Sequence, residues 1–265
     1  MAADPTPVLS GVMRDQRRSL VLWSIALTAV ATLYISVYPA IGGDEMAAMV
    51  ETIPEGMATA FGYDDIGSAA GYLSSTVYGL LGPVLLLVFA IATGTRLVAG
   101  QEEDGTLELE CASPISRSRL LLERMVALWC NVAVLIAVLT GVTLALVFAF
   151  DLDVAVGNVF AGSTGLLLLV LGFGTIGLAV GAATGRRAIG LGVAAGLAVV
   201  AFMLDAIGPT IDAAWMTAVS PFSWYLEDSP LRTGFDVQGL ALLAAVPVVA
   251  AAIAFAGFTR RDLMV

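Results

Sequence analysis

The side chains of this 265-residue chain that are best suited to chemistry crowd into one polar stretch, residues 100–119. Carboxylates come first, at Glu102, Glu103, Asp104, Glu108 and Glu110. A Ser113-Pro114 break follows, and Arg117 and Arg119 close the stretch. Gly105 is expected to end or bend the helix that enters it, because glycine accepts the left-handed conformation at a helix C-terminus. Leu107, Leu109 and Ile115 give the next piece an apolar side. Ser113 ahead of Pro114, or Ser116 slightly later, is placed to cap the helix that leaves. A solvated loop needs no glycine break, no apolar side and no segregated charge. The pattern describes a short elbow, acidic then basic, built to dock a soluble partner rather than to make or break bonds.

The rest of the composition narrows the chemistry further. The chain has no histidine, and all of its twelve basic residues are arginine. Without histidine there is no Ser-His nucleophile pair, no HExxH zinc site and no histidine-ligated metal. Without lysine there is no P-loop. Any ATP-driven work therefore needs an ATPase on another chain, and the expectation is a non-enzymatic protein with no cofactor of its own.

The elements that must position the elbow are membrane helices. The chain is 59 % hydrophobic and 13 % charged, with a mean hydropathy of +0.94; soluble domains run near 45–50 % and 25 %. A span needs about 20 apolar residues. Such runs predict an all-α, polytopic protein with six transmembrane helices, at about 20–41, 72–95, 125–150, 158–184, 188–208 and 237–258, in one domain covering 1–265. The elbow falls between the second and third. The runs are too long and too uniformly apolar for barrel strands. The first is read as a retained helix, because a full-length span follows Arg14, Arg17 and Arg18.

Eleven of the twelve arginines fall on one side of a six-span topology. By the positive-inside rule that side, with both termini, is cytoplasmic; only Arg232 lies outside. The opposite loops are acidic, with Asp44, Glu45, Glu51, Glu55, Asp64 and Asp65 in the first. The net charge is −10 and the acids are scattered over every loop. A carboxylate-rich, lysine-free surface suits a high-salt environment, where repulsion is screened. With no large basic patch, nucleic acid is not expected as a partner. Acids at a cytoplasmic membrane face are repelled by anionic lipid, which again favours a protein groove over the elbow.

Other features are weaker. Gly177, Gly181 and Gly185, and Gly192 and Gly196, have the spacing that lets helices approach closely. Pro83 and Pro247 lie inside spans and are expected to kink them. Trp215, Phe222, Trp224 and Tyr225 read as an interfacial aromatic belt or a re-entrant helix. Asp205, at the outer end of span five, is the one candidate for an intramembrane acid, and its expected place is the water interface. Cys111 and Cys130 read as free thiols of a reducing compartment.

The run Glu102-Glu103-Asp104-Gly105-Thr106-Leu107-Glu108, followed by Ser113-Pro114-Ile115-Ser116-Arg117, resembles the EExGTLE…PVSR signature of type-2 ABC transporter permeases. These are six-span exporter subunits of the group that includes the nitrous-oxide-reductase maturation permease. The Pro54-Glu55-Gly56, Ser220-Pro221-Phe222 and terminal Phe258–Leu263 stretches are similar too, so the likeness covers nearly the whole chain. Glu110-Cys111 departs from it, where leucines are usual. The resemblance implies that Glu102, Glu103, Gly105, Thr106, Leu107, Glu108, Pro114, Ser116 and Arg117 form the coupling helix for a separate ATP-binding subunit. That subunit would hold ATP and Mg. It also implies a second copy of this chain or a paralogue, set in membrane lipid, and, with the composition, a haloarchaeal source. Two other readings stay open: an ion-coupled secondary carrier, and a scaffold that recruits a soluble protein through the same elbow.

Overall fold

A computed structural model describes residues 6–60, 63, 65–105 and 116–260. Its elements are all helical among these residues. In chain order the helices are α1 (Pro7–Ile41), α2 (Gly43–Val50), α3 (Glu55–Ala60), α4 (Ala69–Glu103), α5 (Arg117–Ala149), α6 (Val156–Thr184), α7 (Arg187–Ile207), α8 (Ala214–Val219), α9 (Pro221–Leu226), α10 (Pro230–Thr233) and α11 (Val237–Arg260). Six of them, α1, α4, α5, α6, α7 and α11, are long and apolar enough to cross a bilayer. The molecule is an all-α polytopic membrane protein.

The helices outrun the apolar stretches that announce them. α1 is 35 residues long and begins well before Leu20, and α5 begins at Arg117 rather than near Met125. The apolar run measures only what lies in hydrocarbon. Once a helix is nucleated it continues into the head-group zone, because arginine is a good helix former.

α6 is the central helix. It packs against α11, α4, α7 and α5, while α1 sits on the outside of α5. α4 and α6 approach closely, and a Cβ on Gly94 would collide with the Gly174 carbonyl. Gly177 and Gly181 also face α4, at Thr95 and Ala99. Gly192 and Gly196 have the same spacing but nothing near them, so this pair makes no helix contact within the subunit. Outward side chains such as Leu22 and Val199, 67 % and 61 % exposed, suit lipid rather than water.

Candidate coupling site and the helix ends around it

One end of the bundle gathers the arginines. There α4 runs out through Gln101–Glu103, and Gly105 takes φ +70° just beyond it, with its N–H on the Glu102 carbonyl at 3.1 Å. On the other side of the elbow Ser116 is extended and accepts from the Arg119 N–H at 3.4 Å, capping α5. The glycine stop and the serine cap stand where the sequence places them. Glu102 is half-buried, and Glu103 and Arg117 are exposed. Thr106, Leu107, Glu108 and Pro114, with Cys111, lie outside the described residues.

Glu103 reaches across the bundle. Its Oε1 accepts from the Arg187 N–H at 2.9 Å. Arg187 opens α7, and Arg186, the N-cap residue before it, supplies no side-chain cap. A helix N-terminus presents unpaired N–H groups and partial positive charge, so the carboxylate ties the elbow's first turn to span five.

A second carboxylate does the same for α1. Glu123 is only 5 % exposed. Its Oε2 accepts from the Val8 and Leu9 N–H groups at 3.0 and 3.1 Å, and its Oε1 from Arg119 Nε at 2.9 Å. α1 has no local cap and no acid in its first turn. Sequence reasoning passed over Glu123, which reads locally as the i,i+4 partner of Arg119. The available signal was a helix start at Pro7 with no acid of its own. Next to Glu123, Arg124 is completely buried, and a turn or two further Asn131 Nδ2 donates to Gln16 Oε1 of α1.

Asp205 lies at the opposite, acidic end and is not brought near the elbow. It is half-buried, and its Oδ1 accepts from Ser223 Oγ at 2.6 Å. Ser223 belongs to α9, whose cap Ser220 donates to the Ala201 carbonyl at 2.8 Å. The aromatic-belt expectation therefore holds only in part. Trp215 is 62 % exposed, but Phe222 and Tyr225 are 3 % and 4 % exposed inside the bundle. Phe222 packs on Phe173 and Phe202, with ring centroids 6.2 and 5.5 Å away, and Tyr225 lies over Gly165. Arg232, the lone arginine of this end, pairs with Asp65 at 3.1 Å.

Pro83 acts on α4 through a change of register. Ser74–Leu81 is wound as π-helix, and the Gly82 N–H bonds the Val77 carbonyl five residues back. The next donor in that register is Pro83, which has no N–H. The carbonyl it would have served, that of Tyr78, accepts the Tyr225 hydroxyl at 3.1 Å. Tyr225 lies outside the six spans. Burial, with Tyr78 nearby, raises its pKa well above the usual tyrosine value, so the hydroxyl stays a donor.

Among the described residues no group of histidine, cysteine, aspartate and glutamate is arranged to hold a metal. What this end of the bundle offers is charge and hydrogen bonding at helix termini.

The family model of the ABC-2 family transporter protein matches residues 12–263. The chain belongs to that family. The matched region takes in residues 100–119, five of the six spans whole, and the first from Val12 onward. No curated protein matches the chain.

Proposed function

We propose that this ABC-2 protein is the membrane-spanning, non-catalytic permease subunit of an ATP-binding cassette exporter. Two copies, or one with a paralogue, form the pathway. A separate ATPase, with ATP and Mg bound to it, docks on residues 100–119. The arginine end faces the cytoplasm, as the positive-inside rule requires. Within the family the signature favours the nitrous-oxide-reductase maturation group, and the acidic, lysine-free composition favours a haloarchaeal cell.

The observation that carries the reading is the Glu103–Arg187 hydrogen bond, together with the family match. A push on the elbow from below bears on α4, of which Glu103 is the last residue, and through that bond on the N-terminus of α7. Two spans then move from one contact. The lack of lysine adds independent support, since it puts ATP hydrolysis in another chain.

The test is crosslinking in native membranes from a cysteine introduced as Glu108→Cys. An adduct with a P-loop ATPase is the expected result. An adduct with another protein, or none while that cysteine remains reactive, would favour a scaffold or carrier. A functional arm pairs Glu102→Arg with Glu103→Arg. ATP hydrolysis should then proceed without transport, in a chain that still inserts.

A further inference from the structure

α1 begins at Pro7, and its first turn holds two backbone donors that have no acceptor within the helix. Pro7 has no N–H, and the Ser10 N–H reaches the Thr6 carbonyl at 3.1 Å. Val8 and Leu9 lie between them, and both donate to Glu123 Oε2, at 3.0 and 3.1 Å. A local residue was available for this task. Thr6 occupies the N-cap position, where threonine ordinarily accepts from the second or third N–H of the helix. Its side chain is not used as the cap. The acceptor comes instead from a carboxylate on α5, 115 residues from Val8.

The same carboxylate is tied to the elbow. Its Oε1 accepts from Arg119 Nε at 2.9 Å. The Arg119 backbone N–H in turn donates to Ser116 Oγ, the cap at which α5 leaves the elbow. From Ser116 to Glu123 is about 10 Å at helical rise. At 5 % exposure the carboxylate has exchanged water for these three bonds. α1 meets it as a docked helix, because Val8 and Leu9 rest on the core and Val12 is buried. Most of the remaining packing of α1 is along α5 as well.

The two flanks of the elbow are therefore built alike. Glu103, where α4 enters it, caps α7. Glu123, shortly after α5 leaves it, caps α1. We propose that Glu123 is a positioning residue for coupling: it carries a displacement of the elbow into α1, as Glu103 carries it into α7. The inference rests on the reading that an ATPase docks on residues 100–119. A cap supplied by Thr6 would stabilise the start of α1 and leave it independent of α5. A cap drawn from α5 fixes that start to the helix the elbow moves. Four spans then follow one contact, α4 and α7 on one flank and α5 and α1 on the other.

The experiment is hydrogen-exchange mass spectrometry of the full chain with the ATPase that co-purifies with it. The complex is compared free of nucleotide and trapped with ATP, Mg and orthovanadate. In the wild type the fragments that open α1 and α7 should both change their exchange on trapping, by about fivefold, the effect of one hydrogen bond gained or lost. Glu123→Ala combined with Thr6→Asp cuts the link to α5 and gives α1 a local cap. Exchange at the start of α1 without nucleotide should then match the wild type. Its response to trapping should be lost, and that of α7 kept. Glu103→Ala should give the converse. An α1 response that survives in the double variant overturns the proposal and leaves Glu123 a stabilising residue only. A wild type in which α7 responds and α1 does not also overturns it, while the docking reading stands. No response at either helix overturns both. If the double variant does not assemble, Glu123→Gln, which keeps an acceptor but loses the Arg119 ion pair, should show a diminished α1 response, and a full one overturns the proposal.

Discussion

Tyr225 donates its hydroxyl to the Tyr78 carbonyl at 3.1 Å, at the one place in the π-helical stretch of α4 where Pro83 cannot supply an N–H. A residue 147 positions away completes the backbone of span two. It joins the short helix α9 to α4, while Ser220 and Ser223 of the same region hold it to α7.

The pair makes a double-mutant cycle. Tyr225→Phe removes the donor and should cost about 1–2 kcal/mol, the scale of a buried hydrogen bond in or near a membrane. Pro83→Ala restores a backbone N–H in the right register. The tyrosine substitution should therefore cost measurably less in that background. Unfolding of the four proteins in mixed micelles measures it, and strict additivity would show that the carbonyl finds another donor.

Glu123 should matter out of proportion to its place on the chain. Glu123→Ala leaves the Val8 and Leu9 N–H groups without their acceptor and should destabilise by about 1–3 kcal/mol. The loss should be local, with faster amide exchange at the start of α1 than elsewhere. Glu123→Gln keeps an acceptor but loses the Arg119 ion pair, and should show the smaller effect. Exchange mass spectrometry of the first peptide distinguishes the two.

The glycines of α4 and α7 should behave oppositely. Gly94→Ala places a methyl against the Gly174 backbone, which cannot yield as a flexible side chain would, and should cost about 1–3 kcal/mol. Gly192→Ala meets nothing within the subunit and should gain a few tenths to about 1 kcal/mol from helix propensity. Thermal unfolding of the detergent-solubilised proteins gives both signs.

Orientation is checked by labelling. In a cysteine-free background, Glu51→Cys should react with an impermeant thiol reagent added outside intact cells, and Ser118→Cys should react only after permeabilisation. Both positions are exposed, so reversed labelling would place the elbow outside and remove it from any ATPase.

Much of this protein is legible along the chain. Six spans, the two ends of the bundle, the stop at Gly105 and the cap at Ser116 all follow from one-dimensional properties. Apolar length is matched to bilayer thickness, arginine stays on one side, and a left-handed turn selects glycine. The absence of a P-loop is legible too, because a missing residue type needs no geometry. The tertiary structure alone decided which helix ends are joined. Glu103 and Arg187 are 84 residues apart, and Glu123 and Val8 are 115 apart. A carboxylate that caps a distant helix leaves no periodic trace in its own neighbourhood. The same holds for Phe222 and Tyr225, which have the composition of an interfacial belt but pack inside, Tyr225 over Gly165 of α6 and Phe222 between Phe173 and Phe202. It holds also for the glycine pairs on α6 and α7, equal in spacing and opposite in use. Spacing fixes which residues share a helix face, and only the packing of the other helices fixes what that face meets.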